Sequence, residues 1–173
     1  LDLFDRLAAH VQASAPQWTG FGLAVQAYQL RAREMIDAVA TIAKARGLRL
    51  MVRLVKGAYW DGEIKRAQEL GLDGYPVFTH KQHTDIAYLA CAQALIGHHA
   101  VILPQFATHN AGTIAAILQM AQRQGVPFEM QRLHGMGEGV YREVRAALGE
   151  LPLRIYAPVG EHRDLLAYLV RRL

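Results

Sequence analysis

A single cysteine among 173 residues rules out an internal disulfide. Cys91 lies in the apolar run Tyr88–Ile96, and a reducing cytoplasm is the expected compartment. Long hydrophobic runs are also missing. Arg, Lys, His or Gln interrupts each apolar stretch well before the ~18 residues of a membrane span. The first ten residues carry Asp2, Asp5 and Arg6 where the apolar core of a signal peptide would have to be. The formal net charge of +4 is spread along the chain. With no dense basic block to grip phosphates, no nucleic-acid partner is expected of this segment. No nucleophile elbow, phosphate-binding loop or dinucleotide fingerprint occurs. Among the eight histidines, His80 with His83 and His98 with His99 lack the carboxylates and cysteines that would complete a metal site, so no metal is expected. At 52% hydrophobic and 20% charged, the composition is that of a folded domain.

Against these absences stands a repeated alternation. Phe21–Tyr28, Leu48–Val55, Ala100–Phe106, Phe128–Leu133 and Leu153–Pro158 are short segments rich in Val, Ile, Leu, Phe and Tyr, and read as strands. Their apolar runs are nearly continuous, the pattern of parallel strands covered on both faces. Helical patterns follow at Leu30–Arg46, Glu63–Leu70, Thr84–Ile96, Thr113–Gln124, Val140–Leu148 and His162–Leu173. The alternation predicts a parallel α/β sheet, as an open doubly wound sheet or a (β/α)8 barrel. Gln26, Arg53, Lys56, Gln105, His109, Gln131, His134 and Tyr156 all fall late in a strand or just past it. Strand ends converge on one face of a barrel, where active sites are assembled, so this placement favours the barrel. Five strands cannot close an eight-stranded barrel and 173 residues fall short of the ~250 usual for it, so an incomplete barrel is expected.

The most informative segment is Arg53-Leu54-Val55-Lys56-Gly57-Ala58-Tyr59-Trp60-Asp61. A guanidinium near the end of an apolar strand requires an acceptor, which could be a ligand or a carboxylate inside the barrel. Gly57 and Ala58 leave room for close approach to the backbone, and Tyr59 with Trp60 adds flat aromatic surface. Lys56 alone equally suits a Schiff-base lyase or aldolase. In Thr108-His109-Asn110 a donor-rich turn opens a helix whose N-terminus favours phosphate, although Asn110 also suits a plain N-cap. In the last helix Tyr168 and Arg172 share a face and Arg171 flanks it. The two cations are either ordinary partners of a helix C-terminus or a bidentate clamp for a carboxylate.

Arg53–Asp61 with Gly62–Gln68, then Gly74–Thr79, Gln105–Asn110, Leu133–Glu138, Arg154–Gly160 and Leu165–Arg172 resemble, in this order, motifs of the proline dehydrogenase family, in the form found in bifunctional proline utilization A proteins. On this resemblance, residues 1–173 form the C-terminal portion of a flavin-dependent (β/α)8 barrel, with 1–20 as a lead-in helix and loop. The implied activity is oxidation of L-proline to Δ1-pyrroline-5-carboxylate, with hydride passing from C5 to N5 of a noncovalent FAD and electrons going on to a membrane quinone. The expected location is cytoplasmic, with peripheral contact at the inner face of the membrane through the parent protein. Arg53 is implied to lie against the flavin and stabilise its reduced ring. Gln26, Lys56, Gly57, Ala58, Trp60, Thr79, Lys81, Thr108, His109, Asn110 and Leu133 are implied to line the cofactor. Tyr59, Tyr156 and Tyr168 are implied to shape the proline pocket, and Arg171 and Arg172 to hold its carboxylate. The family also draws a lysine and an aspartate from earlier strands and a cofactor-binding segment beyond the last helix, and nothing here matches them. His80 stands where many relatives carry Arg, and Gly139 where Pro is frequent. A chain lacking those parts could instead be a non-catalytic barrel fragment, and FAD binding would discriminate.

Overall fold

A computed structural model describes residues 1–161 and 165–166. The predicted helix over His162–Leu173, with Tyr168, Arg171 and Arg172, lies almost wholly outside the described residues.

Helix α1 (Asp2–Ser14) leads into strand β1 (Gly22–Gln26), and the alternation continues through α2 (Ala32–Arg46), β2 (Leu50–Val55), α3 (Trp60–Glu69), α4 (Lys81–Gly97), β3 (Ile102–Ala107), α5 (Ala111–Gln124), β4 (Glu129–Leu133), α6 (Glu138–Leu148) and β5 (Leu153–Tyr156). All four strand pairings are parallel, and the strands lie side by side in chain order, β1-β2-β3-β4-β5. A doubly wound sheet reverses direction at a switch point. Here the order never reverses, and α2, α4 and α5 pack on one another over one face of the sheet. The sheet is therefore the wall of a parallel α/β barrel, as the strand-end residues predicted.

The helix-facing side is held by burial of apolar side chains. Ile36 and Val39 of α2, Leu95 and Ile96 of α4, and Ile114 and Ile117 of α5 meet Leu50, Val52, Leu54, Ile102, Phe106 and Met130 of the strands. Each such side chain contributes about 1.5–3 kcal/mol when fully buried, so this layer dominates stability over any surface ion pair. Helix α1 docks on α2 through Ala8 and Val11, and Arg46 clips it by donating from Nε and Nη2 to the two carboxylate oxygens of Asp5, each at 2.8 Å. Among the described residues no helix is long and apolar enough to cross a membrane.

Two expectations need correcting. The expectation of cover on both faces holds only in part: β3 is buried from Pro104 to Phe106 and β4 from Met130 to Leu133, whereas along β2 Leu50, Val52 and Leu54 are buried against helices while Met51, Arg53 and Val55 turn to the other side. That other side carries Gln105, Glu129 and Gln131, because the inner surface of this wall carries polar chemistry as well as packing. Several helices also begin earlier than their apolar periodicity indicated, α3 at Trp60 rather than Glu63 and α6 at Glu138 rather than Val140. Acidic residues fill those first turns (Asp61 and Glu63 in α3, Glu138 in α6), where they suit the helix dipole without contributing to an apolar stripe.

Candidate active site

Parallel register sets the inner row. Ala24 pairs with Arg53, Arg53 with Gln105, and Gln105 with Glu129; above them Gln131 pairs with Arg154 and Leu133 with Tyr156. Arg53 Nε donates to Gln131 Oε1 at 2.6 Å, and the guanidinium carbon lies 4.8 Å from the centre of the Tyr156 ring. The acceptor required by Arg53 is thus a neutral amide and an aromatic face, and its carboxylate stands one step further away. Glu129 accepts from Gln131 Nε2 at 2.8 Å, from Gln105 Nε2 at 3.0 Å, and from both Nε and Nη2 of Arg154 at 2.9 and 2.8 Å. Burial pushes the Glu129 carboxyl up, but the hydrogen bonds from Arg154 and Gln131 outweigh it and hold the group below the usual carboxylate range.

A cleft of about 430 Å³ lies beside this row, lined by Tyr28, Lys56, Gly57, Trp60, Phe78, Thr79, Lys81, Thr84 and Asp85. Its walls are pinned by backbone. Phe78 N donates to Tyr28 O at 2.8 Å, Leu30 N to Pro76 O at 3.0 Å, and Trp60 Nε1 to Phe78 O at 2.8 Å. Asp85 holds Lys56 on one side and Lys81, at 2.5 Å, on the other. The two ammonium groups, Lys56 first, keep the Asp85 carboxyl below its ordinary value. Two tethered cations beside flat aromatic surface suit a cofactor that carries both phosphate and ring. A cleft of this size takes one part of a dinucleotide, not the whole. A Schiff-base lysine needs a desolvated neutral amine, whereas Lys56 is paired with a carboxylate and its side chain is 30% exposed.

The other expected cofactor residues form a second group at the ends of β3 and β4. Thr108 is buried and its hydroxyl accepts from Asn110 N at 3.2 Å; Asn110 Oδ1 accepts from Thr113 N at 2.9 Å, so Asn110 is a true N-cap. His109 Nε2 accepts from Leu133 N at 3.0 Å, which requires that nitrogen to be unprotonated. Burial, and then the nearby Arg132 charge, depress the His109 pKa accordingly. Leu133 is wholly buried. Gln26 ends β1 opposite Val55, and Ala58 is half-buried just past the positive-φ Gly57. Tyr59 is exposed at the start of α3. His134 is exposed and joins the strand ends by its backbone, N donating to Tyr156 O at 2.8 Å. Among the described residues no group of His, Cys, Asp and Glu could hold a metal.

Sequence reasoning missed Glu129 and Asp85 and did not give Gln131 a partner. A signal existed for each. Glu129 and Gln131 are two apart on a strand and so share a face, and Asp85 follows Lys81 by four on a helix.

The family model described as proline dehydrogenase matches residues 1–173. The chain belongs to that family. It is 54% identical over its whole length to the bifunctional protein PutA of Klebsiella aerogenes, of which it spans 14%, and 54% identical to that of Escherichia coli K12, of which it spans 13%. A crystal structure of a Bradyrhizobium japonicum proline utilization A mutant superposes with a TM-score of 0.88 at 58% identity, covering 98% of this chain and 17% of that one.

Proposed function

We propose that this chain forms part of the site at which L-proline is oxidised to Δ1-pyrroline-5-carboxylate. Conversion to the imine removes a hydride from C5 and a proton from the ring nitrogen; FAD, when held by the residues named below, would supply the hydride acceptor. Electrons then pass to a quinone, which would bring the parent protein to the membrane surface. The observation that carries this reading is the Arg53 guanidinium, set at the inner end of β2 by Gln131 and the Tyr156 ring in a chain of the proline dehydrogenase family.

In this reading Arg53 would stabilise negative charge on the reduced cofactor ring. Lys56 and Lys81, tethered by Asp85, would hold phosphate, and Trp60 with Phe78 would offer flat contact. Gln26, Ala58, Thr79 and the Thr108–His109–Asn110 turn would complete the cofactor contacts with Gly57, and Leu133, wholly buried here, would hold His109 from behind through its N–H. Tyr59, Tyr156 and Tyr168 shape the substrate pocket, and Arg171 and Arg172 hold its carboxylate. Gln131 is added to that set, since it holds Arg53.

The test is stopped-flow flavin reduction by saturating L-proline in the full-length protein. Loss of one charge-stabilising donor costs about a hundredfold in rate, so Arg53→Met should slow the limiting reduction by that order while flavin remains bound. An unchanged limiting rate with flavin bound removes Arg53 from this role.

A further inference from the structure

Glu129 lies outside the residues that face the cleft, yet it receives four hydrogen bonds from three side chains, one of which touches Arg53. A carboxylate only accepts, whereas an amide side chain accepts at one end and donates at the other. Gln131 sits between Glu129 and Arg53, and so its amide has two possible directions with unequal outcomes. With its NH2 toward Glu129 Oε1 at 2.8 Å, its Oε1 meets Arg53 Nε at 2.6 Å and both interactions are hydrogen bonds. Turned over, oxygen faces carboxylate and NH2 faces a guanidinium N–H, and both interactions are repulsive.

We infer that Glu129 is a positioning residue that fixes the direction of the Gln131 amide and through it the seat of the Arg53 guanidinium. Arg154 holds the carboxylate from the far side at 2.9 and 2.8 Å. Gln105 takes a third approach to the same oxygen, so the carboxylate cannot turn away from Gln131 without losing its other partners. Arg53 Nε is thereby occupied, and the guanidinium lies over Tyr156. The kinetic consequence rests on the reading of Arg53 given above. The structural one does not.

Glu129→Gln keeps the shape of the side chain but can present NH2 to Gln131, which leaves Arg53 as the one remaining partner that favours the observed direction; on this inference Arg53 alone does not hold it. In crystal structures of the full-length protein, the hydrogen bond from Arg53 to Gln131 should be broken by Glu129→Gln and retained in Arg154→Met, which leaves the carboxylate in place. In the exchanged pair Glu129→Gln with Gln131→Glu an acceptor for Arg53 should return. Misplacement of a catalytic group by about 1 Å can cost up to a hundredfold, so Glu129→Gln should slow limiting flavin reduction by roughly tenfold with the proline KM within about twofold of wild type. A Glu129→Gln structure in which Arg53 still donates to Gln131 overturns the inference whatever the rate. A broken hydrogen bond with an unchanged limiting rate overturns it too, provided Arg53→Met is slow. If Arg53→Met is as fast as wild type, it is the assignment of Arg53 that fails, and the crystal structures still decide for or against Glu129.

Discussion

Gly57 carries the sharpest steric constraint beside the cleft. Its φ is +133°, and a Cβ built on it would lie 2.5 Å from the Tyr28 ring. Tyr28 is 2% exposed, and its hydroxyl reaches Glu63 Oε1 at 3.5 Å, so the ring has nowhere to retreat. Gly57→Ala therefore meets two separate penalties. Backbone strain at such a φ costs about 1–3 kcal/mol. Forcing a methyl group into a packed wall costs a further ~1–3 kcal/mol. The sum, roughly 2–6 kcal/mol, is a large part of the ~5–15 kcal/mol that stabilises a typical domain. In the full-length protein the readout is flavin release on heating, followed by flavin fluorescence. At a few degrees per kcal/mol, the release temperature should fall by roughly 4–24 °C. Gly62→Ala is the internal control. It lies inside α3 with no heavy atom within 4 Å of its Cβ position, and relief of helix-interior glycine should stabilise by about 0.5–1 kcal/mol. A Gly57→Ala protein that releases flavin at the wild-type temperature would refute the steric argument.

Asp85, whose carboxyl is held low by Lys56 and then Lys81, contributes stability that is present above its unfolded value of 3.8 and is lost as the pH falls through its lower folded value. Flavin release temperatures of wild type and Asp85→Asn should differ by a constant amount above about pH 5 and converge only as the pH falls below 3.8, and a gap that persists in stronger acid would contradict this. Arg171→Met or Arg172→Met should raise the proline KM at least about tenfold, since losing one partner of a desolvated charge pair costs ~2–5 kcal/mol. Pyrrolidine, which has no carboxylate, should lose its disadvantage in the same variants, and equal losses for the two substrates would reduce these arginines to helix-end charges.

The sequence by itself determined the elements and where their chemistry lies. Alternating apolar strands and amphipathic helices marked the parallel α/β sheet. Arg53, Lys56, Gln105, Gln131 and Tyr156 marked the strand ends, because both signals depend on spacing within one element. For the same reason the Lys81–Asp85 pair, four apart on α4, was open to reading. Only tertiary structure decided which strand-end groups meet. Arg53 and Gln131 are 78 residues apart, Lys56 and Asp85 29, and Tyr28, just past β1, meets Gly57, just past β2. Those meetings follow from the register of β1 through β5, in which a slip of one residue would exchange the two faces of a strand and send Arg53 among the helices. Register is fixed by burial of Leu50, Val52, Leu54, Ile102 and Phe106 against α2, α4 and α5. Apolar residues with no part in the chemistry thus decide where the polar ones stand.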